Sequence, residues 1–403
     1  MKILEVLTYY RPHISGLTIY VERLSKALAK QGHQVTVFTS QYDKSLPSHE
    51  VKDGVRIRRV PVIMRVSKGV IMPRFGPLAW GMVAGADVVH LHLPQFDAPG
   101  VAFRGRLYGK PVVLTYHSDL ELPGGALNRV INGTVHTMNR AAGTLADAVV
   151  TYTRDFGTHS PFLSRYLGKK LHVIPPPVEL APVSEVEIDS FRREHQLNGK
   201  HVIGISARLA AEKGIEVLLE ALPRILSSHP NAHVLHASPD AIGEGAYVEH
   251  LRPLLRRYEA SYHLLGALHG STLTSFYRNL DCLVMCSLNN TETFGLVQVE
   301  AMMNGVPVVA TDLPGVRQPA RMTGMGEIVP VGDAAALAEA IVRILDNKQK
   351  YIRSAKTIAA SFDPAGTAAE YIRLFNDLRQ GKKVDTLPEP AAYGQLRQLR
   401  DSL

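Results

Sequence analysis

Cysteine is nearly missing: 403 residues contain two, Cys282 and Cys286, both within DCLVMCS. Their even spacing puts both on one face of a strand, which reads as a buried thiol pair. No further Cys or His cluster accompanies them, so a metal or redox role for the pair has no support. Long apolar runs are missing too, and none reaches the ~18–20 residues that span a bilayer. The opening MKILEVLTYY lacks the basic start, longer apolar core and small-residue cleavage site of a signal peptide. It reads as a strand, and the expected location is the cytoplasm. Also absent are a G-x-G-x-x-G fingerprint, a Walker lysine and a G-x-S-x-G elbow. Dinucleotide binding, P-loop chemistry and serine hydrolysis therefore lose their anchors. Basic residues are scattered without a nucleic-acid-binding motif, so nucleic acid is not an expected partner.

What is present is a globular composition, 45% apolar and 20% charged, in a chain long enough for two or three domains of ~150 residues. The net charge of +8 is unevenly placed. Residues 1–178 hold 22 Lys and Arg against 11 Asp and Glu, and the remainder is slightly acidic. A basic first half suits an anionic partner: a phosphorylated acceptor, an acidic polymer or an anionic membrane surface. A solvated basic surface would give the same count.

Strand and helix patterns alternate, which points to parallel sheets covered by helices. KILEVLTYY, HQVTVFTS, VRIRRVPV, ADVVHLHLP, PVVLTYHS and ADAVVTYT read as strands, with an amphipathic helix in IYVERLSKALAKQG. KLHVIPPPVEL ends this series in prolines and is the best linker candidate. A second series runs HVIGISARL, AHVLHAS, YHLLGAL, LDCLVMCS, VPVVATD and GEIVPV. Two α/β halves of this kind place a nucleotide-like ligand at the ends of their strands.

Four places carry chemistry. In TETFGLVQVEAMMNGVPVVAT, Thr291 or Thr293 is expected to cap a helix starting near Phe294–Leu296, with Glu292 outside that end and Glu300 inside it. Such a helix start suits phosphate or sugar oxygens, although an ordinary acidic first turn looks the same. In ARLAAEKG, Arg208 and Lys213 form a pair suited to a diphosphate or, more blandly, a solvated loop. Ser15-Gly16 precedes a helix, where glycine lets a phosphate approach the backbone. His117 ends an apolar strand, where active-site residues of parallel sheets gather, with Asp119 two residues on. A core histidine is the plainer reading of His117 alone. His90 and His92 share a strand face and could join His117 around a metal, but no carboxylate-rich cluster supports this.

Together GHQVTVFT, DVVHLHLP, KPVVLTYHSD, ADAVVTYT, ARLAAEKG and ETFGLVQVEAMMNGVPVVAT resemble the retaining glycosyltransferases of family 4, also described as glycosyl transferases group 1. The resemblance covers roughly residues 1–378, and its specific part is the ordered R-x4-K and E-x7-E spacing. It implies an α/β GT-B architecture: two Rossmann-like parallel-sheet domains facing each other across a deep crevice. Residues 1–175 would bind the acceptor, completed by a C-terminal helix at about 365–380. Residues 176–364 would bind the donor, and 381–403 would form a charged tail.

The resemblance implies transfer of a sugar from a UDP- or GDP-sugar to a hydroxyl acceptor, with retention of configuration and without a metal or other cofactor. Glu292 would meet the transferred sugar and Glu300 the ribose. Phe294, Gly295 and Leu296 would offer backbone groups. Arg208 and Lys213 would stabilise the departing diphosphate, Gly16 would approach it from the first domain, and His117 would lie beside the donor sugar. The acceptor would be anionic, lipid-linked or glycan, reached through peripheral contact of the basic first domain with the inner face of the membrane. Some residues depart from the family pattern. Ser15-Gly16 replaces Gly-Gly, PPPVE replaces P-N-G-V-D, and ASPDAIGEG (237–245) replaces a glycine-rich turn. A sugar-nucleotide 2-epimerase and a non-catalytic sugar-nucleotide-binding partner are the alternatives.

Overall fold

The computed structural model describes residues 1–66, 69–120, 125–238, 245–382, 384 and 389–401. The chain divides into two compact units, Met1–Pro177 with Phe362–Pro390, and Val178–Ser361 with Ala391–Leu403.

In the first unit the strands are β1 (Lys2–Val6), β2 (Gln34–Gln41), β3 (His49–Lys52), β4 (Val55–Pro61), a small antiparallel pair β5 (Met64–Val66) and β6 (Gly69–Ile71), β7 (Val88–Leu93), β8 (Val112–Tyr116), β9 (Ala148–Thr151) and β10 (Leu171–Val173). The main sheet runs β10-β9-β8-β7-β1-β2-β4-β3. All its pairings are parallel except β3 with β4. Helices cover both faces, which is why VVHLHL, VVLTY and AVVT are buried from end to end. The order reverses between β1 and β7, with Glu5 in register with His90.

Helix α1 (Gly16–Lys30) starts at a capping box in which Ser15 and Thr18 satisfy each other's backbone N–H. Helices α2 (Phe75–Ala84), α3 (Ala98–Leu107) and α4 (Ala126–Leu145) pack in series. The helix Pro364–Arg379 packs on α1, where the Tyr371 and Tyr20 hydroxyls lie 2.7 Å apart.

The second unit holds β11 (His201–Ser206), β12 (Ala232–Ala237), β13 (Tyr262–Gly266), β14 (Cys282–Met285), β15 (Val308–Thr311) and β16 (Gly326–Val329). They form one parallel sheet in the order β13-β12-β11-β14-β15-β16, which reverses between β11 and β14. Its apolar core is built around these strands and the helices Ile215–Ser228 and Ala334–Tyr351.

One expectation is corrected. Residues 381–403 are not simply a charged tail, because Ala391–Asp401 is a helix of the second unit. It packs on Gln318–Thr323 and Ala355–Ser361 and buries Tyr393 and Leu396 completely. Residues 239–244 of the ASPDAIGEG departure lie outside the described residues, as do 67–68, 121–124, 383, 385–388 and 402–403. Among the described residues no helix is long and apolar enough to cross a membrane.

Candidate active site

In the second unit, Arg208 and Lys213 leave the C-terminal end of β11, and Glu292 follows the C-terminal end of β14. Those two strands flank the point where the sheet order reverses, the place where open α/β sheets bind ligands. The two loops meet there. Lys213 Nζ lies 2.6 Å from Glu292 Oε2, and the Leu288 N–H donates to the Glu212 carbonyl at 2.9 Å. Arg208 Nη2 donates to Glu212 Oε1 at 2.9 Å. All four charged side chains remain partly open to solvent. Gly214 has a left-handed backbone, φ 63°, and a Cβ there would collide with the Cys286 carbonyl. The Cys286 thiol donates to the Gly214 carbonyl at 3.1 Å and sits 3.3 Å from that of Lys213. This buried thiol braces the lysine loop, and burial pushes its pKa up to about 12.

The glutamate turn differs from expectation in one respect. The helix spans Leu296–Met302, and its N-cap is Gly295 at φ 78°, with no side-chain cap. Thr291 instead donates its hydroxyl to Asn289 Oδ1 at 2.7 Å. Phe294 is fully buried. The Gln298 amide donates to the carbonyls of Phe294 and Val316 at 2.9 and 2.8 Å, stapling the turn. Glu300 is buried inside the helix and accepts from the Tyr277 hydroxyl at 2.8 Å.

In the first unit, Gly16 is the first residue of α1, and a Cβ there would meet nothing within 4 Å. The fold itself thus makes no steric demand for glycine at this position. His117 is buried just past β8, with Nε2 2.9 Å from His92 Nδ1 and Nδ1 against the Tyr152 hydroxyl. Burial, then His92 and His90, holds its pKa well below the ordinary value, so the ring is neutral. Asp119 is buried as well and accepts from Tyr116 and Ser160 at 2.9 and 2.8 Å.

Three residues that pair with these side chains, Glu212 with Arg208, Tyr277 with Glu300 and Glu5 with His92, the partner of His117, escape a reading of the sequence. Glu212 sits inside the Arg208–Lys213 segment, where i,i+4 spacing was a usable signal. Tyr277 and Glu5 reach their partners only through tertiary structure, and no local pattern marks them.

Residues 14–181 match the model of Glycosyltransferase Family 4, and residues 187–360 match that of Glycosyl transferases group 1. A phosphatidyl-myo-inositol mannosyltransferase of Mycobacterium tuberculosis is 28% identical, with 92% of this chain and 95% of that protein covered. A GDP-mannose-dependent alpha-mannosyltransferase of Mycolicibacterium smegmatis is 27% identical, covering 87% and 90%. Among solved structures, Anabaena Alr3699/HepE in complex with UDP superposes with a TM-score of 0.75 at 20% identity, covering 94% of this chain and 100% of that one. Sucrose-phosphate synthase from Thermosynechococcus elongatus gives the same TM-score at 22% identity and the same coverage. With two doubly wound parallel sheets and family matches along both, this chain is a GT-B glycosyltransferase and belongs to glycosyltransferase family 4.

Proposed function

We propose that this chain moves a hexose, with mannose the first candidate, from a nucleoside diphosphate sugar to a hydroxyl acceptor with retention of configuration. The observation that carries this reading is the ion pair of Lys213 and Glu292 at the reversal point of the second sheet, beside Arg208 and Glu212. A diphosphate leaving group needs compact positive charge, and Lys213 and Arg208 supply it. Glu292 is the adjacent carboxylate that hydroxyls of the transferred sugar would meet. Partly exposed pairs of this kind are worth about 0–1 kcal/mol, so an incoming diphosphate can redirect both cations at small cost.

Phe294, Gly295 and Leu296 present backbone to the donor, while Glu300, preset by Tyr277, receives the ribose hydroxyls. From the first unit, Gly16, where a Cβ would meet nothing within 4 Å, is the proposed diphosphate contact, and His117, a buried neutral ring, is the proposed neighbour of the sugar. The two cations do the work that a bound metal does elsewhere, so transfer proceeds without one. GDP-mannose is the donor to try first because a relative's name carries it, and UDP-glucose is second.

The acceptor side is proposed to be anionic or lipid-linked, supported by the basic first unit and by its outer residues. Trp80, Phe96, Phe103, Leu107 and Val130 are exposed on or beside α2, α3 and α4. Arg104 lies over the Trp80 ring at 4.6 Å, placing guanidinium beside apolar surface. Such a mixture suits the interface of an anionic membrane.

Calorimetry with GDP, UDP and ADP and their sugar conjugates tests the donor half. One nucleotide is expected to bind selectively, with affinity reduced at least tenfold in Lys213→Ala, and Glu292→Gln is expected to bind it yet fail to transfer. Parental transfer in both Glu292→Gln and Arg208→Ala would remove the proposed site.

A further inference from the structure

The centre of the first sheet is polar where its neighbours are apolar. Glu5 on β1, His90 and His92 on β7 and Thr115 on β8 are all completely buried. Glu5 Oε2 lies 2.6 Å from His92 Nε2 and 2.8 Å from His90 Nδ1. From His92 the contacts continue through Nδ1 to His117 Nε2 at 2.9 Å, and from His117 Nδ1 to the Tyr152 hydroxyl. From His90 a second line runs through Nε2 to Thr115 Oγ1 at 2.8 Å, then to the hydroxyls of Tyr371 and Tyr20, each step 2.7 Å. The two lines end against one another, because the Tyr20 ring packs on Tyr152 with centroids 5.3 Å apart, and edge-on to His117 at 4.9 Å.

A buried carboxylate needs partners, and its state orders the protons around it. Burial raises the Glu5 pKa, but His90 and His92 more than offset this and hold it at about 2, so the group is ionised. An ionised carboxylate only accepts. His92 must then present Nε2–H to it, which leaves His92 Nδ1 as a lone pair. That lone pair can only accept, and the donor within reach is His117 Nε2–H. His117 Nδ1 is left to accept from the Tyr152 hydroxyl.

The same three groups, Glu5, His90 and His92, offer donor atoms within 4.8 Å of one another, as a metal site would. Their contacts of 2.6 and 2.8 Å are shorter than the roughly 3.3 Å between ligands of a tetrahedral ion held at about 2.0–2.1 Å. Both gaps are too short for an ion between them, and the His92–Glu5 one is a hydrogen bond.

We infer that Glu5 is a positioning residue: through His92 it places the His117 proton on Nε2 and fixes the ring at the end of β8. The consequence for transfer rests on the reading above that His117 lies beside the donor sugar. On that reading His117 offers the sugar a fixed, neutral surface and does not shuttle protons. The rest of the line, Glu5 to His92 to His117, is independent of it.

Nitrogen-15 NMR of histidine-labelled protein tests the proposal directly, with His92→Gln and His117→Gln assigning the signals. Wild-type His117 is expected in the Nε2–H form; an Nδ1–H form overturns the inference. Glu5→Met removes the acceptor at similar size. It should move the His92 proton to Nδ1 and switch His117 to Nδ1–H, with nucleoside diphosphate affinity within twofold and kcat at least tenfold lower. Glu5→Gln keeps an accepting oxygen and should restore the wild-type tautomer and most of the rate, which a general loss of packing would not do. If His117 keeps its tautomer in folded Glu5→Met, Glu5 has no positioning role. A tautomer that switches while kcat holds leaves the relay standing and removes His117 from the donor site. Stoichiometric zinc in the purified protein, lost in His90→Gln, would replace the relay with a metal centre.

Discussion

Glu212 and Glu292 put a carboxylate within hydrogen-bonding distance of each cation proposed to bind the diphosphate. The two acids have different duties on the proposed reading, since Glu292 meets the sugar while Glu212 only pairs Arg208. A diphosphate must draw Arg208 away from Glu212, and a pair this open holds it by about 0–1 kcal/mol. Glu212→Gln is therefore expected to tighten nucleoside diphosphate binding by up to about fivefold, read by calorimetry at fixed ionic strength. Weaker binding would mean that Glu212 holds Arg208 in its working pose rather than competing for it. The spacing of Arg208, Lys213, Glu292 and Glu300 was legible because the charges stand out from apolar strands on either side. The Lys213–Glu292 contact was not, because it joins residues 79 positions apart and exists only once β11 and β14 pair. Thr291 and Thr293 looked like helix caps for their chemistry. Gly295 took the cap because the turn needs a positive φ and has no room for a Cβ beside Met285.

At the level of elements, the parallel strands were the easiest to read, since fully buried strands such as VVHLHL and VVLTY are mostly apolar. The C-terminal helix Ala391–Asp401 was missed because its fully buried residues are Tyr393 and Leu396, too few apolar positions to show a period against the surrounding charge. Helix α3 allows a sharper test. Phe103 and Leu107 are one turn apart and more than half exposed, at 54% and 61%, so neither contributes much to the core. Arg104 and Arg106 stand beside them. Replacing both apolar residues, Phe103→Ser with Leu107→Ser, is expected to leave melting temperature and nucleotide affinity unchanged. Cosedimentation with vesicles containing phosphatidylglycerol should fall several-fold, and binding to purely zwitterionic vesicles should be weak in both proteins. Undiminished sedimentation of the double variant would move the membrane contact elsewhere or abolish it as an idea.

The whole molecule carries a load of buried histidine in both units. Burial is the first cause that holds His92, His172, His233 and His236 at about 4, and it holds His117 well below its ordinary value. Once unfolded, each takes up a proton near pH 6.5. Between pH 6.5 and 4 the unfolded chain therefore binds more protons than the folded one, and stability falls as the pH falls. The slope is about 1.4 kcal/mol per pH unit for each histidine protonated only when unfolded. Glu5 extends the loss further, because a carboxyl held at about 2 contributes stability that fades from its ordinary 4.5 down to that value. Calorimetric melting temperature should thus be highest at neutral pH and drop steeply by pH 5, well before carboxylate titration. His172 isolates one contribution, since neither of its ring nitrogens has a hydrogen-bond partner among the described residues. His172→Leu keeps the buried volume and removes one titrating group. It should flatten the fall between pH 6.5 and 5 by about one proton, and its advantage over the parent should grow as pH decreases. Parallel curves for the two proteins would show that His172 is protonated in the folded state, or open to water, and would take it out of the acid response.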